Sequence, residues 1–316
     1  MNKIITLAAL LLTVNCAAQN KSHENSLPMN QTTLTLNNGV EIPQFGIGVY
    51  SIPAGEVTYN SVLAALKAGY RHIDTAHAYG NERSVGEAVR DSGIPRDSIW
   101  ITSKLWPNEY GEEVTPKQLD KMLERLGLEY LDLVYLHQPL RDYNGGWKAL
   151  EAALEAGKVR AIGISDFDFN DELFNSIVEP ARIKPQMFQI ECHPYAQREH
   201  WQEMAKKYDI KIESWFPLGG RDSHGEILRD PVINEIAAAH GKSAAQVIIR
   251  WHIQKGFCVV PGSSNPAHIQ ENIKVFDFEL SPEEMAKIAS LNQEKRYFTM
   301  SYDQIKAWMS DYELWD

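Results

Sequence analysis

Three consecutive apolar runs of the sequence each end in a side chain that can take part in acid-base chemistry. These side chains are Asp74, Lys104 and His137, and Tyr79 follows Asp74 by five residues, just before a Gly-Asn-Glu turn. A buried strand does not carry a lone charge unless a partner offsets the cost of burying it. The runs therefore predict one rim of the fold where a carboxylate, an ammonium and an imidazole meet, with a phenol beside them.

Each of these residues also has a structural interpretation. Asp74 and Lys104 would then form an ion pair, Tyr79 would pack a loop, and His137 would be a hydrogen-bonded core histidine. For any one residue taken alone, the structural interpretation is the commoner one. Their positions at successive strand ends favour a functional site.

A regular alternation of strands and helices must position these residues. Strands are predicted to start near Gln44, Arg71, Ile99, Leu131, Val159, Gln186, Lys211 and Cys258. Amphipathic helical patterns lie between them, at 57–67, 84–92, 116–126, 146–156, 171–178, 198–208 and 243–254. This alternation is typical of a parallel sheet, and eight strands favour a closed (β/α)8 barrel with its chemistry at the strand C-termini.

Additional segments surround the repeats. Thr33–Ile42 alternates polar and apolar residues around an Asn-Gly turn, which predicts a hairpin that could plug one end of the barrel. Pro217–Pro231 is rich in glycine and charge and follows a strand end, so it is either a lid or a surface insertion. After the eighth strand, a helix is predicted from Asn265, and a Ser-Pro-Glu-Glu capping box at Ser281 predicts another. The aromatic tail from Arg296 either packs onto the fold or walls a pocket.

The first eighteen residues have the layout of an export signal. We expect residues 1–18 to be a signal peptide cleaved after Ala18, with lipid attachment at Cys16 as the alternative, residues 19–31 to be a polar tether, and 32–316 to form the barrel. The protein would then be exported to the periplasm, and it would be cytoplasmic if this segment is not a functional signal.

Composition narrows the classes of partner. The chain has 31 basic and 42 acidic residues, a net charge of −11, which argues against nucleic acid as a partner. No integral membrane span and no metal site are expected, and the protein is expected to be a monomer acting on a small molecule. Cys192 and Cys258 lie in apolar runs two strands apart and are predicted to be buried thiols without a disulfide.

Several motifs occur in one order along the strands: Gly46–Tyr50, Arg71–Glu82, Ser103–Trp106, Tyr135–His137, Gly157–Ser165, Gln189–Tyr195 and Ile269–Asn272. Through these motifs, residues from Gln31 to about Gln293 resemble the aldo-keto reductase superfamily, and most closely its bacterial 2,5-diketogluconate reductase-like branch. The resemblance implies a (β/α)8 TIM barrel with an N-terminal β-hairpin, extra C-terminal helices and loops that cover a cofactor.

The resemblance also implies reduction of aldehydes or ketones, small carbonyls or keto-sugar acids, with NAD(P)H. Its catalytic tetrad falls on Asp74, Tyr79, Lys104 and His137. Tyr79 would donate a proton to the carbonyl oxygen while a hydride reaches the carbon. Lys104 is expected to lower the tyrosine pKa from its usual value of about 10, Asp74 to hold Lys104, and His137 to orient the carbonyl.

No Gly-x-Gly-x-x-Gly motif follows a strand, so the sequence does not indicate a Rossmann module. By the same resemblance, the cofactor instead lies extended across the barrel mouth. The residues implied to contact the cofactor are Ser165, Asp166, Gln189, Trp215, Pro217, Leu218, Gly219, Ser263, Ser264, His268, Glu271 and Asn272. Among them Ser165 and Gln189 would hold the carboxamide, and Trp215 would stack on the nicotinamide. Tyr50 and Trp106, with His137, would contact the substrate.

Two departures from the family pattern bear on the cofactor. Asp166 stands where the family has Asn, so it can accept a hydrogen bond from an amide but cannot donate one. Gly262 and His268 replace the Lys and Arg of members specific for NADPH, which removes two charged donors from the 2′-phosphate site. We therefore expect NADP(H) to be used and NAD(H) to be tolerated.

Two other classes of protein fit the sequence less well. A cofactor-binding barrel that senses redox state or serves as an accessory subunit, without turnover, would have no need of Tyr79. A metal-dependent hydrolase would require several His and Asp ligands at strand ends, and only His137 and Asp74 qualify. The leading interpretation is thus a carbonyl reductase.

Overall fold

The structure is a computed structural model, and it describes residues 31–310 and Leu314. The expected signal peptide, Cys16 and the tether up to residue 30 lie outside the described residues. Gln31, assigned to the tether, is buried, and its side-chain amide donates to the Gly69 carbonyl at 2.7 Å. This residue therefore packs against the barrel.

A two-stranded hairpin precedes eight barrel strands, and helices follow the strands in order. The strands are β1 Thr33–Thr35, β2 Glu41–Pro43, β3 Ile47–Gly48, β4 His72–Asp74, β5 Trp100–Leu105, β6 Leu131–Leu136, β7 Val159–Ser165, β8 Met187–Glu191, β9 Lys211–Trp215 and β10 Cys258–Val259. The helices are α1 Glu56–Ala68, α2 Glu82–Asp91, α3 Thr115–Leu126, α4 Tyr143–Glu155, α5 Asp171–Val178, α6 Glu199–Lys207, α7 Pro231–His240, α8 Ala244–Gln254, α9 Pro266–Asn272, α10 Pro282–Ala289 and α11 Tyr302–Ser310.

Strands β3 to β10 form one parallel sheet in sequence order. The sheet closes on itself through bridges from Phe45 to Val259 and from Gly48 to Gly262, so β3 lies beside β10. The predicted (β/α)8 barrel is confirmed. Because every barrel strand runs the same way, all eight C-terminal ends lie on one rim, as the sequence argument required.

Strands β5 and β6 are buried at every position, as expected for parallel strands covered on both faces. Their inward-facing side chains fill the barrel, and the space is tight. A Cβ on Gly163 of β7 would lie 2.5 Å from the ring of Tyr135. A glycine is therefore needed for Tyr135 to reach across the barrel interior.

The N-terminal hairpin forms as predicted, with Thr33 paired to Pro43 and Leu34 to Ile42. Its residues Leu36 and Ile42 join an interior cluster with Trp100, Leu133 and other side chains of the barrel lumen. The hairpin thus seals the end of the barrel opposite the strand C-termini.

Most predicted helices lie within three residues of their observed bounds, and α5 matches its prediction at both ends. Ser281 caps α10 in the predicted capping box with Glu284. Cys192 and Cys258 are buried free thiols, as predicted. Helix α7, which follows the 217–231 insertion, and helix α11 in the aromatic tail were not predicted. Among the described residues, no helix is long and apolar enough to cross a membrane.

Candidate active site

The four residues of the sequence-predicted tetrad meet at the barrel mouth. Asp74 is the last residue of β4, Lys104 is the penultimate residue of β5, and His137 directly follows β6. Tyr79 ends a short 3-10 helix, His77–Tyr79, in the loop after β4. Adjacent parallel strands thus place these side chains side by side, although the residues are up to 63 positions apart in sequence.

Lys104 and Asp74 form a buried ion pair. The Lys104 Nζ donates to both carboxylate oxygens, at 2.7 and 2.8 Å, and to the Thr75 carbonyl at 2.9 Å. Lys104 is completely inaccessible to solvent. Because an ammonium has three hydrogens, these bonds account for its full donor capacity and hold its charge at the floor of the site.

Tyr79 lies above this ion pair at the mouth. The Lys104 Nζ is 5.0 Å from the centre of the Tyr79 ring. The centre of this ring is 5.1 Å from that of the Tyr50 ring and 5.8 Å from that of the His137 ring. Burial, and then the negative charges of Asp74 and Asp166, raise the pKa of Tyr79 well above its usual value. The expectation that the pKa of Tyr79 is lowered is therefore wrong for this structure, because burial and the two carboxylates outweigh the effect of the Lys104 ammonium. Tyr79 keeps its proton across the physiological range.

His137 is buried and packs edge-on against Trp106, with 5.1 Å between ring centres. Burial, and then the charge of Lys104, lower its pKa well below the usual 6.5. Its ring is thus neutral at physiological pH. Its Nδ1 is buried without a hydrogen-bond partner.

This environment predicts a pH profile. Because the imidazolium is disfavoured, His137 has no proton to lose as the pH rises through 6.5. We expect kcat/KM for carbonyl reduction to have the same profile shape in wild type and in His137→Asn between about pH 5.5 and 8, at a lower level in the variant. An inflection near neutrality that is present in wild type and absent in the variant would contradict this assignment.

A hydrogen-bonded network extends from Asp74 into the barrel interior. The Gln189 Nε2 donates to Asp74 at 3.0 Å and to Glu213 at 2.7 Å, and Tyr135 donates to Glu213 at 3.1 Å. The Ser165 hydroxyl donates to the Gln189 Oε1 at 3.3 Å. Sequence reasoning missed Glu213. The sequence feature that could have indicated Glu213 is a carboxylate in the middle of β9, at a position that is buried in a barrel strand.

Asp166 follows β7 and is buried beside this network. Its Oδ1 accepts from the indole N–H of Trp215 at 2.9 Å, and its Oδ2 accepts from the side-chain amide of Gln138. Burial and the nearby Asp168 raise the pKa of Asp166 to about 7. The structure thus places the predicted residues Ser165, Asp166, Gln189 and Trp215 in one connected group next to the tetrad.

Aromatic side chains wall the mouth. Tyr50 is 56% exposed and contacts Phe216 at 6.0 Å, while Trp106 is buried and contacts Trp308 of α11 at 6.3 Å. Phe298 packs on Trp215 at 5.7 Å. The aromatic tail therefore packs onto the fold and also lines the barrel mouth, so both roles predicted for it are present.

Glu191, at the end of β8, fastens the tail. It accepts from the Arg296 side chain at 2.9 Å and from the Tyr297 backbone N–H at 2.7 Å. Glu191 lies in the Gln189–Tyr195 motif, but the sequence did not predict that it would hold the tail. The ion pair fixes the segment immediately before Phe298.

The 217–231 insertion leaves β9 through Pro217, Leu218 and Gly219, of which Pro217 and Gly219 are buried. Arg221 reaches across the mouth and donates to the Ser51 carbonyl at 3.2 Å. A short 3-10 helix, Ile227–Arg229, then leads into α7. The insertion is thus a folded loop that spans one side of the mouth.

The remaining predicted cofactor residues form a separate group on the edge made by β10 and α9. Ser263 caps the turn into α9, where its hydroxyl accepts from the Asn265 backbone N–H at 3.1 Å. Ser264 and His268 are exposed, Glu271 is half-buried and Asn272 is buried. The Gly48–Gly262 bridge joins this edge to the mouth.

A buried pair behind the tetrad was not foreseen. The His77 Nδ1 contacts the Glu109 carboxylate at 2.8 Å, and the same carboxylate accepts from the Trp106 backbone N–H at 2.7 Å. The pair joins the segment of Tyr79 to that of Trp106. The partners are 32 residues apart, and no sequence spacing signals the contact. Within the described part of the chain, no three His, Cys, Asp or Glu residues are grouped to hold a metal ion.

Comparison with known proteins agrees with this geometry. Residues 45–293 match the Aldo/keto reductase family. The chain is 46% identical over 270 residues to the 9,11-endoperoxide prostaglandin H2 reductase of Trypanosoma cruzi, covering 84% of this chain and 94% of that protein. It is 43% identical over 265 residues to the glyoxal reductase of Bacillus subtilis, covering 84% and 94%.

A solved structure of similar shape is an aldo/keto reductase from Brucella melitensis, with a TM-score of 0.78 and 40% identity. The superposition covers 83% of this chain and 99% of that one. The family match spans most of the described barrel, including all four residues of the tetrad. This chain therefore belongs to the aldo/keto reductase family and is an oxidoreductase of the carbonyl-reducing type.

Proposed function

We propose that the protein reduces aldehydes and ketones to alcohols with NAD(P)H, with Tyr79 as the proton donor. The observation that carries the proposal is the convergence of Tyr79, His137 and the Lys104–Asp74 pair at the strand C-termini. A bound reduced nicotinamide would supply the hydride. A barrel that only binds a cofactor would have no need of the Tyr79 hydroxyl, which favours turnover over the alternative of a redox-sensing or accessory barrel.

In this mechanism, Tyr79 transfers its proton to the carbonyl oxygen as negative charge develops there. The raised pKa of Tyr79 keeps it in the protonated form that a donor requires. Neutral His137 would donate a hydrogen bond that orients the carbonyl, and Lys104 would stabilise the phenolate left behind. Asp74 holds Lys104 in place.

Ser165 and Gln189, next to the tetrad, offer the hydrogen-bonding groups that would hold a nicotinamide carboxamide. A carboxamide offers two N–H donors and one acceptor. The Gln189 oxygen can accept from it, and the Ser165 hydroxyl can donate to it, while both amide hydrogens of Gln189 are held by Asp74 and Glu213. We assign these two residues to the carboxamide, Trp215 to the ring face, and the segment from Pro217 to Gly219 to the pyrophosphate.

At the β10–α9 edge, Ser263, Ser264 and His268 would meet the 2′-phosphate, and Glu271 with Asn272 would face the adenine. The exposed His268 is a weaker phosphate partner than a permanently charged arginine. We therefore propose that NADPH is used and NADH is tolerated. Comparing KM for the two cofactors tests this, and strict NADPH exclusivity would count against it.

A substitution sharpens this test. In His268→Arg, we expect the KM for NADPH to fall about tenfold because a charge-assisted hydrogen bond to the phosphate is gained, with no change for NADH. Gln270→Arg, on the same helix and also exposed, adds the same charge as a control. Equal gains in both variants would show a general charge effect and remove His268 from the phosphate site.

The side chains that line the barrel mouth indicate the class of substrate. Tyr50, Trp106 and His137 present aromatic surface with few polar groups, which suits small carbonyls and leaves keto-sugar acids within range. We further propose, from the sequence, that the protein acts as a monomer and that residues 1–18 direct its export, with lipid attachment at Cys16 as the alternative.

A further inference from the structure

Asp166 has a conformation and a bonding pattern that the proposed reaction does not use. Its φ of 60° lies in the left-handed region, which Asp tolerates better than most residues. Asp166 is buried, with 7% of the residue exposed. Its two oxygens accept from different segments, Oδ1 from Trp215 and Oδ2 from Gln138. Both oxygens therefore already have donors from the protein.

The bond from Trp215 fixes the plane of the indole. The indole has one polar group, its Nε1–H, and Asp166 accepts it at 2.9 Å. Phe216 and Phe298 contact the ring at steep angles of 72° and 77°. These apolar contacts support the ring but do not select its rotation about its own axis, whereas a directional hydrogen bond does.

Gln138 extends the link to the substrate side. It follows His137 directly, its backbone N–H donates to the Tyr110 hydroxyl at 3.1 Å, and its Nε2 donates to Asp166. Its Oε1 is buried without a partner, so the hydrogen bond to Asp166 is the polar contact that orients its side chain. Asp166 thus joins the loop after β6 to the end of β9.

We propose that Asp166 is a positioning residue that sets the plane of the Trp215 indole for the cofactor, and that it does not itself contact the carboxamide. The inference rests on the proposed function, in which Trp215 stacks on the nicotinamide. The Trp215 indole and the Gln138 amide both need an acceptor at this position, and the two oxygens of Asp166 provide them.

Calorimetric titration with NADPH tests the proposal in four variants. Asp166→Leu removes the acceptors and should weaken binding about tenfold, the effect of losing one hydrogen bond to a charged group. Trp215→Phe keeps a ring but removes the N–H, and should cause a similar loss. The double variant should bind no more weakly than either single one, because both changes break the same contact. Asp166→Asn keeps an acceptor for the indole and should bind within about twofold of wild type.

The outcomes separate the two claims. If wild type does not bind NADPH, the proposed function fails and the inference falls with it. If wild type binds but the Asp166→Leu and Trp215→Phe losses add, Asp166 does not act through the indole. A tenfold gain or loss in Asp166→Asn would show that position 166 touches the cofactor directly, which also overturns the inference.

Folding does not obscure the result. Circular dichroism checks each variant, and Asp166→Asn in the Trp215→Phe background provides a second cycle if Asp166→Leu does not fold. In that background we expect the Asn substitution to change NADPH binding by less than about twofold. A larger change would overturn the proposal.

Discussion

Tyr79→Phe is expected to lower kcat for aldehyde reduction by about two to four orders of magnitude, the range that a positioned general acid contributes. The substitution removes one oxygen and leaves the ring contacts to Tyr50 and His137 in place. Binding of NADPH should be unchanged, because the hydroxyl is assigned to the substrate oxygen. Steady-state kinetics and calorimetric titration with NADPH measure the two quantities separately.

The matched control is Tyr59→Phe. Tyr59 also carries a phenol, but it lies on α1 and bonds to Asp91 at 2.9 Å, on the helical side of the barrel. This variant should keep full activity. Wild-type rates in Tyr79→Phe would remove the mechanism, and a shared loss of cofactor binding would mean that Tyr79 supports the site's structure instead.

Lys104→Met is expected to lower the free energy of unfolding by about 3–5 kcal/mol, because it leaves Asp74 as an uncompensated buried charge. Methionine approximates the length and volume of the lysine stem, so the effect is mainly electrostatic. The activity should fall as well, since the phenolate of Tyr79 loses its nearby cation. Urea unfolding of the purified protein measures the stability change.

An exposed ion pair supplies the comparison. Lys148 and Glu112 lie 2.7 Å apart, with 66% and 61% of their side chains exposed, and Lys148→Met should not measurably change stability. Adding Asp74→Asn to Lys104→Met should recover part of the loss, since no unpaired carboxylate remains. If Lys104→Met costs no more than Lys148→Met, the buried pair is not a structural element.

The fold and the tetrad were predictable for the same reason. Parallel strands buried on both faces give continuous apolar runs, so polar residues at their ends, such as Asp74 and His137, stand out in the sequence. Strand order in a barrel then brings them together. The helix caps, such as Ser281, follow from contacts within four residues of chain.

What the sequence did not predict depends on long-range contacts. Glu109 acquires its role by meeting His77 in a loop, and the pKa of Tyr79 depends on burial and on carboxylates from other strands. The expectation that the pKa of Tyr79 is lowered considered Lys104 and omitted burial and the carboxylates of Asp74 and Asp166. Helix α7 was missed because the glycine-rich insertion before it obscured the start of the periodic pattern.

The placement of Asp74 has an evolutionary consequence. This carboxylate holds Lys104 and also anchors Gln189 and the interior network, so the fold itself depends on it. A descendant that stopped turning over substrate would still be under selection to keep Asp74 and Lys104. The contacts described for the Tyr79 side chain all involve its ring, so the hydroxyl could be lost while the ring stays in place. Among related sequences, retention of this tyrosine would be the sign that natural selection still acts on the reaction.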